Sequence, residues 1–237
     1  MIIAVLVILM AGIAITFSIN KTPTGDNRFI TYIVDPKSRH ISFYWKNDSD
    51  SIIRSIKNLK TYVESKNQEL VFAVNGGMYN ADRYPQGLFI QDSKLITPLD
   101  TISGEGNFYL KPNGVFYITE SNIPVICKTE DFTDLKDIKY ATQSGPMLVI
   151  DGQIHSAFIQ GSKNLHIRNG VGILPDGRIV FVMSKVRVNF HEFASYFRSL
   201  GCKNALYLDG YVSRTYLPEQ NWAQTDGDFG VIIGVTK

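Results

Sequence analysis

The stretch Leu70-Val71-Phe72-Ala73-Val74-Asn75-Gly76-Gly77-Met78-Tyr79-Asn80 passes from an unbroken apolar run directly into a polar turn with paired glycines. A short apolar run without alternation reads as a strand buried on both faces. Ala205–Leu208 and Phe229–Val235 have the same character, so several central strands are expected. Tight-turn signals lie between these runs. Pro112-Asn113-Gly114 separates Asn107–Leu110 from Val115–Thr119, Asp151-Gly152 follows Met147–Ile150, and Asp176-Gly177 separates Val171–Leu174 from Arg178–Met183. Asn-Gly and Asp-Gly pairs supply the positive φ angles that hairpin turns require.

Two stretches follow helical spacing instead. Ser51–Lys66 carries Ile52, Ile53, Ile56, Leu59, Tyr62 and Val63 on one stripe, with Asp50 or Ser51 as the expected cap. Asn189–Leu200 opens with Asn189 and Glu192 at capping-box spacing, buries Phe193, Tyr196, Phe197 and Leu200, and is ended by Gly201. The predicted class is α+β: a strand-rich mixed sheet with hairpins, and two principal helices packed on it.

Met1 to Phe17 is apolar throughout and Lys21 is the first charge. Residues 1–19 therefore read as a signal peptide or an N-terminal membrane anchor. The sequence predicts an exported protein, periplasmic or extracellular, whose membrane attachment would run through residues 1–19. A polar linker follows at 20–28, and one domain spans 29–237. Lys and Arg number 24 against 22 Asp and Glu, interspersed, which argues against a nucleic-acid partner. Cys127 and Cys202 are open to two readings, a disulfide closing a long loop or two free thiols behaving as small hydrophobes. No P-loop or nucleophile elbow is present, and the four histidines lack ligand spacing. No cofactor or metal is expected.

What remains is a set of polar, glycine-containing segments at the ends of buried strands, where a rigid scaffold commonly presents functional groups. Asn75-Gly76-Gly77 can turn sharply and aim backbone N–H groups at an anion. Gln143-Ser144-Gly145-Pro146 offers donors on a stiffened backbone. Arg168-Asn169-Gly170 places an Arg fork beside small residues. Asp209-Gly210-Tyr211-Val212-Ser213 holds a carboxylate at a strand end with room beside it.

Together with Gly106-Asn107-Phe108-Tyr109 and Lys111-Pro112-Asn113-Gly114, these segments, in order from about Val71 to the C-terminus, resemble the phosphodiester glycosidase domain family, most closely its exported bacterial branch. The resemblance implies hydrolysis of the glycosidic bond of a sugar-1-phosphodiester. Asp209 then becomes the carboxylate that traps or stabilises the sugar cation, or the base for water. Arg168, with the N–H groups of Gly76 and Gly77, becomes the anion clamp, and Glu105 a reserve acid. Asn75, Gln143 and Ser144 would orient the substrate and Tyr79 would stack on a sugar ring. Gly145, Asn169, Gly210 and Ser213 complete the expected substrate-binding set. One departure stands out: where eukaryotic members carry Leu-Asp-Gly-Gly-Gly-Ser, this chain has Leu208-Asp209-Gly210-Tyr211-Val212-Ser213, which narrows the room beside Asp209. The alternative function is a non-catalytic envelope module that binds glycan or glycosyl phosphate with the same loops.

Overall fold

The structure, a computed structural model, describes residues 26–133, 136–210 and 212–237. The apolar segment 1–19 and most of the linker lie outside them. The class is the strand-rich α+β one that the sequence predicts. The strands divide among three sheets, and all their pairings among the described residues are antiparallel. The first sheet runs, in spatial order, β1 (Phe29–Val34), β12 (Ile179–Ser184), β11 (Asn169–Ile173), β13 (Ala205–Tyr207), β9 (Met147–Ile150) and β10 (Gln153–Ile154). The second runs β15 (Trp222–Ala223), β14 (Thr215–Leu217), β3 (Leu70–Asn75), β16 (Ile232–Thr236) and β2 (His40–Tyr44). The third runs β5 (Lys94–Thr97), β4 (Phe89–Gln91), β8 (Ile138–Ser144), β6 (Gly114–Thr119) and β7 (Pro124–Lys128).

The three apolar runs are inner strands, β3, β13 and β16. Their lack of alternation follows from apolar layers on both faces. One core is shared by all three sheets: Phe72 of β3 packs on Phe181 of β12 at 5.1 Å between ring centres, and Phe43 of β2 lies 5.4 Å from Phe116 of β6 and 5.3 Å from Tyr140 of β8. On β12, Ile179, Phe181 and Met183 face this core, while Val180 and Val182 belong to a second cluster under helix α2 (Phe190–Ser199). Helix α1 (Ile56–Ser65) covers the outer face of the second sheet through Ile56, Leu59 and Val63.

Helix α2 matches expectation in detail. Glu192 N–H donates to Asn189 Oδ1 at 2.8 Å, Asn189 N–H donates to the Glu192 carboxylate at 3.1 Å, and Gly201 follows at φ 83°. Helix α1 starts later than the apolar stripe implies. Asp50 and Arg54 sit at φ 60° and 67°, which breaks the helix, and Ser55 caps it instead by accepting from Asn58 N–H. Ile52 and Ile53 mimic the helical period because both turn inward from an irregular segment. The Asp151-Gly152 hairpin forms with both residues left-handed, at φ 48° and 79°. Asn107–Leu110 is not a strand: Asn107–Tyr109 is a 3-10 turn, and β6 pairs with β7 and β8.

Cys127 and Cys202 are both free thiols in separate apolar clusters, and burial raises them to about 11 and about 12. Among the described residues no helix is long and apolar enough to cross a membrane.

Candidate active site

Three of the four segments picked out in the sequence, those of Asn75, Asn169 and Asp209, converge where the ends of β3, β11 and β13 meet. Asn75, the last residue of β3, is buried and donates its side-chain N–H to the Asp209 carbonyl. Its Oδ1 accepts from Arg214 N–H at 2.9 Å and from Asn169 Nδ2 at 3.1 Å. Asn169, the first residue of β11, also donates to the Asn75 carbonyl at 2.8 Å, and its Oδ1 accepts from Ser213 Oγ at 3.2 Å. Asp209 N–H donates to the Gly76 carbonyl and Leu208 N–H to the Asn169 carbonyl, both at 3.1 Å. Two buried amides and a hydroxyl therefore fix the loop that carries Asp209. Satisfied networks of this kind are rigid, because any member that leaves strands a buried polar group.

The half-buried Asp209 lies within electrostatic reach of two tyrosines. Burial, with the Asp209 charge adding to it, raises Tyr79 and Tyr207 to about 12 each. The Tyr207 hydroxyl accepts from Arg168 Nη1 at 3.3 Å and from the Gly210 N–H. It packs so closely on the Gly210 Cα that a Cβ there would overlap it. Only glycine fits this position. Both phenols titrate well above the ordinary tyrosine value, so ionising them is harder in the folded chain than in the unfolded one. Their contribution to stability is complete below about pH 10 and is lost as pH rises toward 12. A cooperative loss of structure in that window, accompanied by tyrosinate absorbance, is the expected alkaline titration.

Arg168 takes a different place from the one expected. It is 1% exposed and spends its donors inside the protein. Nε donates to the Val188 carbonyl at 2.9 Å, and Nη2 to the Asn164 carbonyl and Oδ1 at 3.0 and 3.1 Å. The guanidinium stacks 3.6 Å above the Phe190 ring, and burial lowers its pKa from the usual arginine value. It therefore offers no open fork to a phosphate and acts on the Asp209 loop through Tyr207 and Gly210. Gly76 is likewise not an anion donor, since its N–H donates to the Val231 carbonyl at 2.8 Å. Gly77 packs against Thr142 and Gln143 too closely for any side chain.

The Gln143 segment is also structural. Gln143 Oε1 accepts from Leu88 N–H and Asp100 N–H, both at 2.9 Å, and Nε2 donates to the Asp100 carbonyl at 2.6 Å and to Thr129 Oγ1 at 3.2 Å. All of its polar capacity is used, which removes it from substrate orientation. Ser144 is fully buried and, among the described residues, its hydroxyl has no hydrogen-bond partner, while Gly145 is wedged against Asn113 and the Phe108 carbonyl. Glu105 is exposed on the loop before the 3-10 turn, and among the described residues no hydrogen bond ties it to the Asp209 network.

Some of the groups around the site carried no clear signal. Tyr207 read as one apolar position of a buried strand, although a buried phenol always needs a partner. Arg83 stands 5.2 Å over the Tyr79 ring and shares Asp228 with Arg54, two guanidinium groups on one carboxylate. Tyr79 donates to the Asp228 carbonyl at 2.8 Å. On the other side of Arg168, a cleft of about 200 Å³ is lined by Asn107, Phe158, Ile159, Asn164, Phe190 and His191, among others. A cavity of about 420 Å³ between Lys111, Asn113, Lys128 and Thr129 contains none of the network residues.

The strand-rich α+β domain that carries this network is a phosphodiester glycosidase domain: residues 68–235 match the model of the phosphodiester glycosidase family, and the chain belongs to it. It is 35% identical over 187 residues to the uncharacterized protein YigE of Escherichia coli K12, covering 78% of this chain and 73% of that one. The fold is similar to the catalytic domain of zebrafish N-acetylglucosamine-1-phosphodiester alpha-N-acetylglucosaminidase, auto-inhibited by its pro-peptide, with TM-score 0.60 and 14% identity over 87% of this chain and 82% of that one. It is also similar to a putative exported protein of Burkholderia pseudomallei, with TM-score 0.58 and 12% identity over 87% and 73% of the two chains.

Proposed function

We propose that the protein hydrolyses the glycosidic bond of a sugar-1-phosphodiester at the cell envelope or outside the cell. The observation that carries this reading is the rigid Asn75–Asn169–Ser213 network, which holds Asp209 beside two neutral phenols, one of which, Tyr207, accepts from the buried Arg168 guanidinium. In the reaction the bond between the anomeric carbon and the ester oxygen breaks, and its electron pair leaves with the phosphate monoester. Water supplies hydroxide to the carbon and its proton to the medium. A phosphate leaves well without protonation, so the site must chiefly balance charge: a carboxylate for the developing sugar cation, cations for the departing anion. Asp209 takes the first role. The second falls to the positive charge left over where Arg54 and Arg83 share Asp228, next to Tyr79. Arg168 contributes a buried positive field and holds the loop in place.

The test is to incubate the full chain with a nucleoside-diphosphate sugar and with an aryl sugar-1-phosphodiester, following free reducing sugar. Release that is lost on replacing Asp209 supports the hydrolase. Ligand-dependent stabilisation without release, retained in Asp209→Asn, supports a binding module instead. Within the same assay, Arg83→Ala is expected to raise KM by roughly tenfold or more, the weight of a charge-assisted contact, and to lower kcat as well, because the departing phosphate gains negative charge in the transition state. An unaltered KM would remove Arg83 from phosphate recognition.

A further inference from the structure

One end of the first sheet, beyond β11 and β12, carries exposed side chains that the hydrolytic site does not use. Large apolar side chains stand in the open at Ile159 (73% exposed), Leu165 (43%) and Val186 (47%). Exposed cations interleave with them at Lys163, Lys185 and Arg187, and none of the three enters an ion pair among the described residues. Neither 152–175 nor 177–191 contains an Asp or a Glu. The two loops are tied into one surface: His166 and Val188 exchange backbone hydrogen bonds at 3.1 and 2.9 Å, and Asn189 Nδ2 donates to the Ser162 carbonyl at 3.2 Å. Isolated exposed hydrophobes are ordinary. Three on one rigid ribbon, laced with unpaired cations, have the composition of a surface that seats on anionic headgroups.

The path of the chain names the occupant. Lys185 N–H donates to the Arg28 carbonyl at 2.7 Å, so the described residues begin beside this patch. Arg28 sits between two carboxylates, Asp26 and Glu192, so with Lys163, Lys185 and Arg187 the charge around the patch remains positive, with the Asp26 carboxylate acting on Lys185 from a distance. Ahead of Asp26 come six residues, 20–25, and before them the apolar segment 1–19. Fully extended, such a spacer reaches only about 20 Å. We propose that the 155–167 and 185–188 loops form a membrane-contacting face that seats on an anionic bilayer, with the segment 1–19 entering the same bilayer alongside. Ile159 also lines the cleft next to Phe190, so the docking face and that cleft share a wall.

The experiment places the full chain in phosphatidylcholine–phosphatidylglycerol vesicles containing a lipid with brominated acyl chains. Bromine quenches an indole only when the two are close. Ile159→Trp and Val186→Trp are compared with Ile123→Trp, an exposed position on the turn between β6 and β7. Native Trp45 and Trp222 are a background common to all three. The expected result is several-fold stronger added quenching at 159 and 186 than at 123. It should fall by about half or more when phosphatidylglycerol is omitted, or when Lys163→Glu, Lys185→Glu and Arg187→Glu are combined, since each cation near such a surface is worth about a fivefold factor. Circular dichroism checks folding, and the change of lipid needs no variant of the face. Equal quenching at the three positions means that the segment 1–19 alone tethers a freely tumbling domain, and the proposal fails. It fails equally if the quenching ignores lipid charge, or if the chain does not associate with the vesicles.

Discussion

Asp209→Asn is expected to lower the release of sugar from a sugar-1-phosphodiester by roughly three to four orders of magnitude, while the thermal midpoint moves by no more than about 2 °C. The separation of the two effects follows from the way the residue is held. Its backbone N–H and carbonyl fasten the loop to Gly76 and Asn75, and an isosteric amide leaves both bonds intact. The carboxylate charge is what changes, and with it the ability to stabilise a sugar cation. Turnover measured beside a thermal melt checks both halves. A folded variant with full activity takes Asp209 out of the chemistry.

Gln143→Ala is expected to do the reverse, costing about 3–5 kcal/mol of stability. The amide is the common partner of Leu88, Asp100 and Thr129, and its removal strands the buried Leu88 N–H and opens a void between the third sheet and the 87–100 segment. For a domain of this size the loss corresponds to a midpoint lower by about 10 °C. Glu105→Gln, at an exposed loop position, serves as the control and should stay within about 0.5 kcal/mol of the parent. A Gln143→Ala midpoint close to the parent's would mean that the amide does not hold these segments together.

The contrast between these two residues shows where sequence reading reaches and where it stops. The β3, β13 and β16 strands, the capping box of α2 and the Asp151-Gly152 hairpin were legible because each is written in local spacing or in a residue's own φ preference. So was the cluster of polar strand ends, since Asn75, Asn169, Asp209 and Ser213 do meet. The direction each side chain faces was not. Gln143 and Arg168 look like ligand-facing groups in a sequence, yet the tertiary structure turns both inward onto backbone carbonyls and amides that no local pattern reveals. The start of α1 was misplaced for a related reason. Periodicity records which residues face inward, not whether the backbone between them is helical, and the half-buried Ile52 and buried Ile53 pack inward from a segment with left-handed residues on either side.

The order of the strands has a further consequence, for the life of the chain as it is made. The first two strands have no partner nearby in sequence. Phe29 of β1 lies opposite Ser184, and Tyr44 of β2 lies opposite Ile232. The central core cannot close until β16 has left the ribosome, because it fills the place between β2 and β3. A polypeptide truncated before Ile232 is expected to remain protease-sensitive throughout, which pulse proteolysis of nascent chains of graded length can measure. Contacts this distant in sequence also make folding slow. The nascent chain thus lacks a closed core throughout the synthesis of residues 29–231, and the compact state becomes available only once β16 is free to pair with β2 and β3.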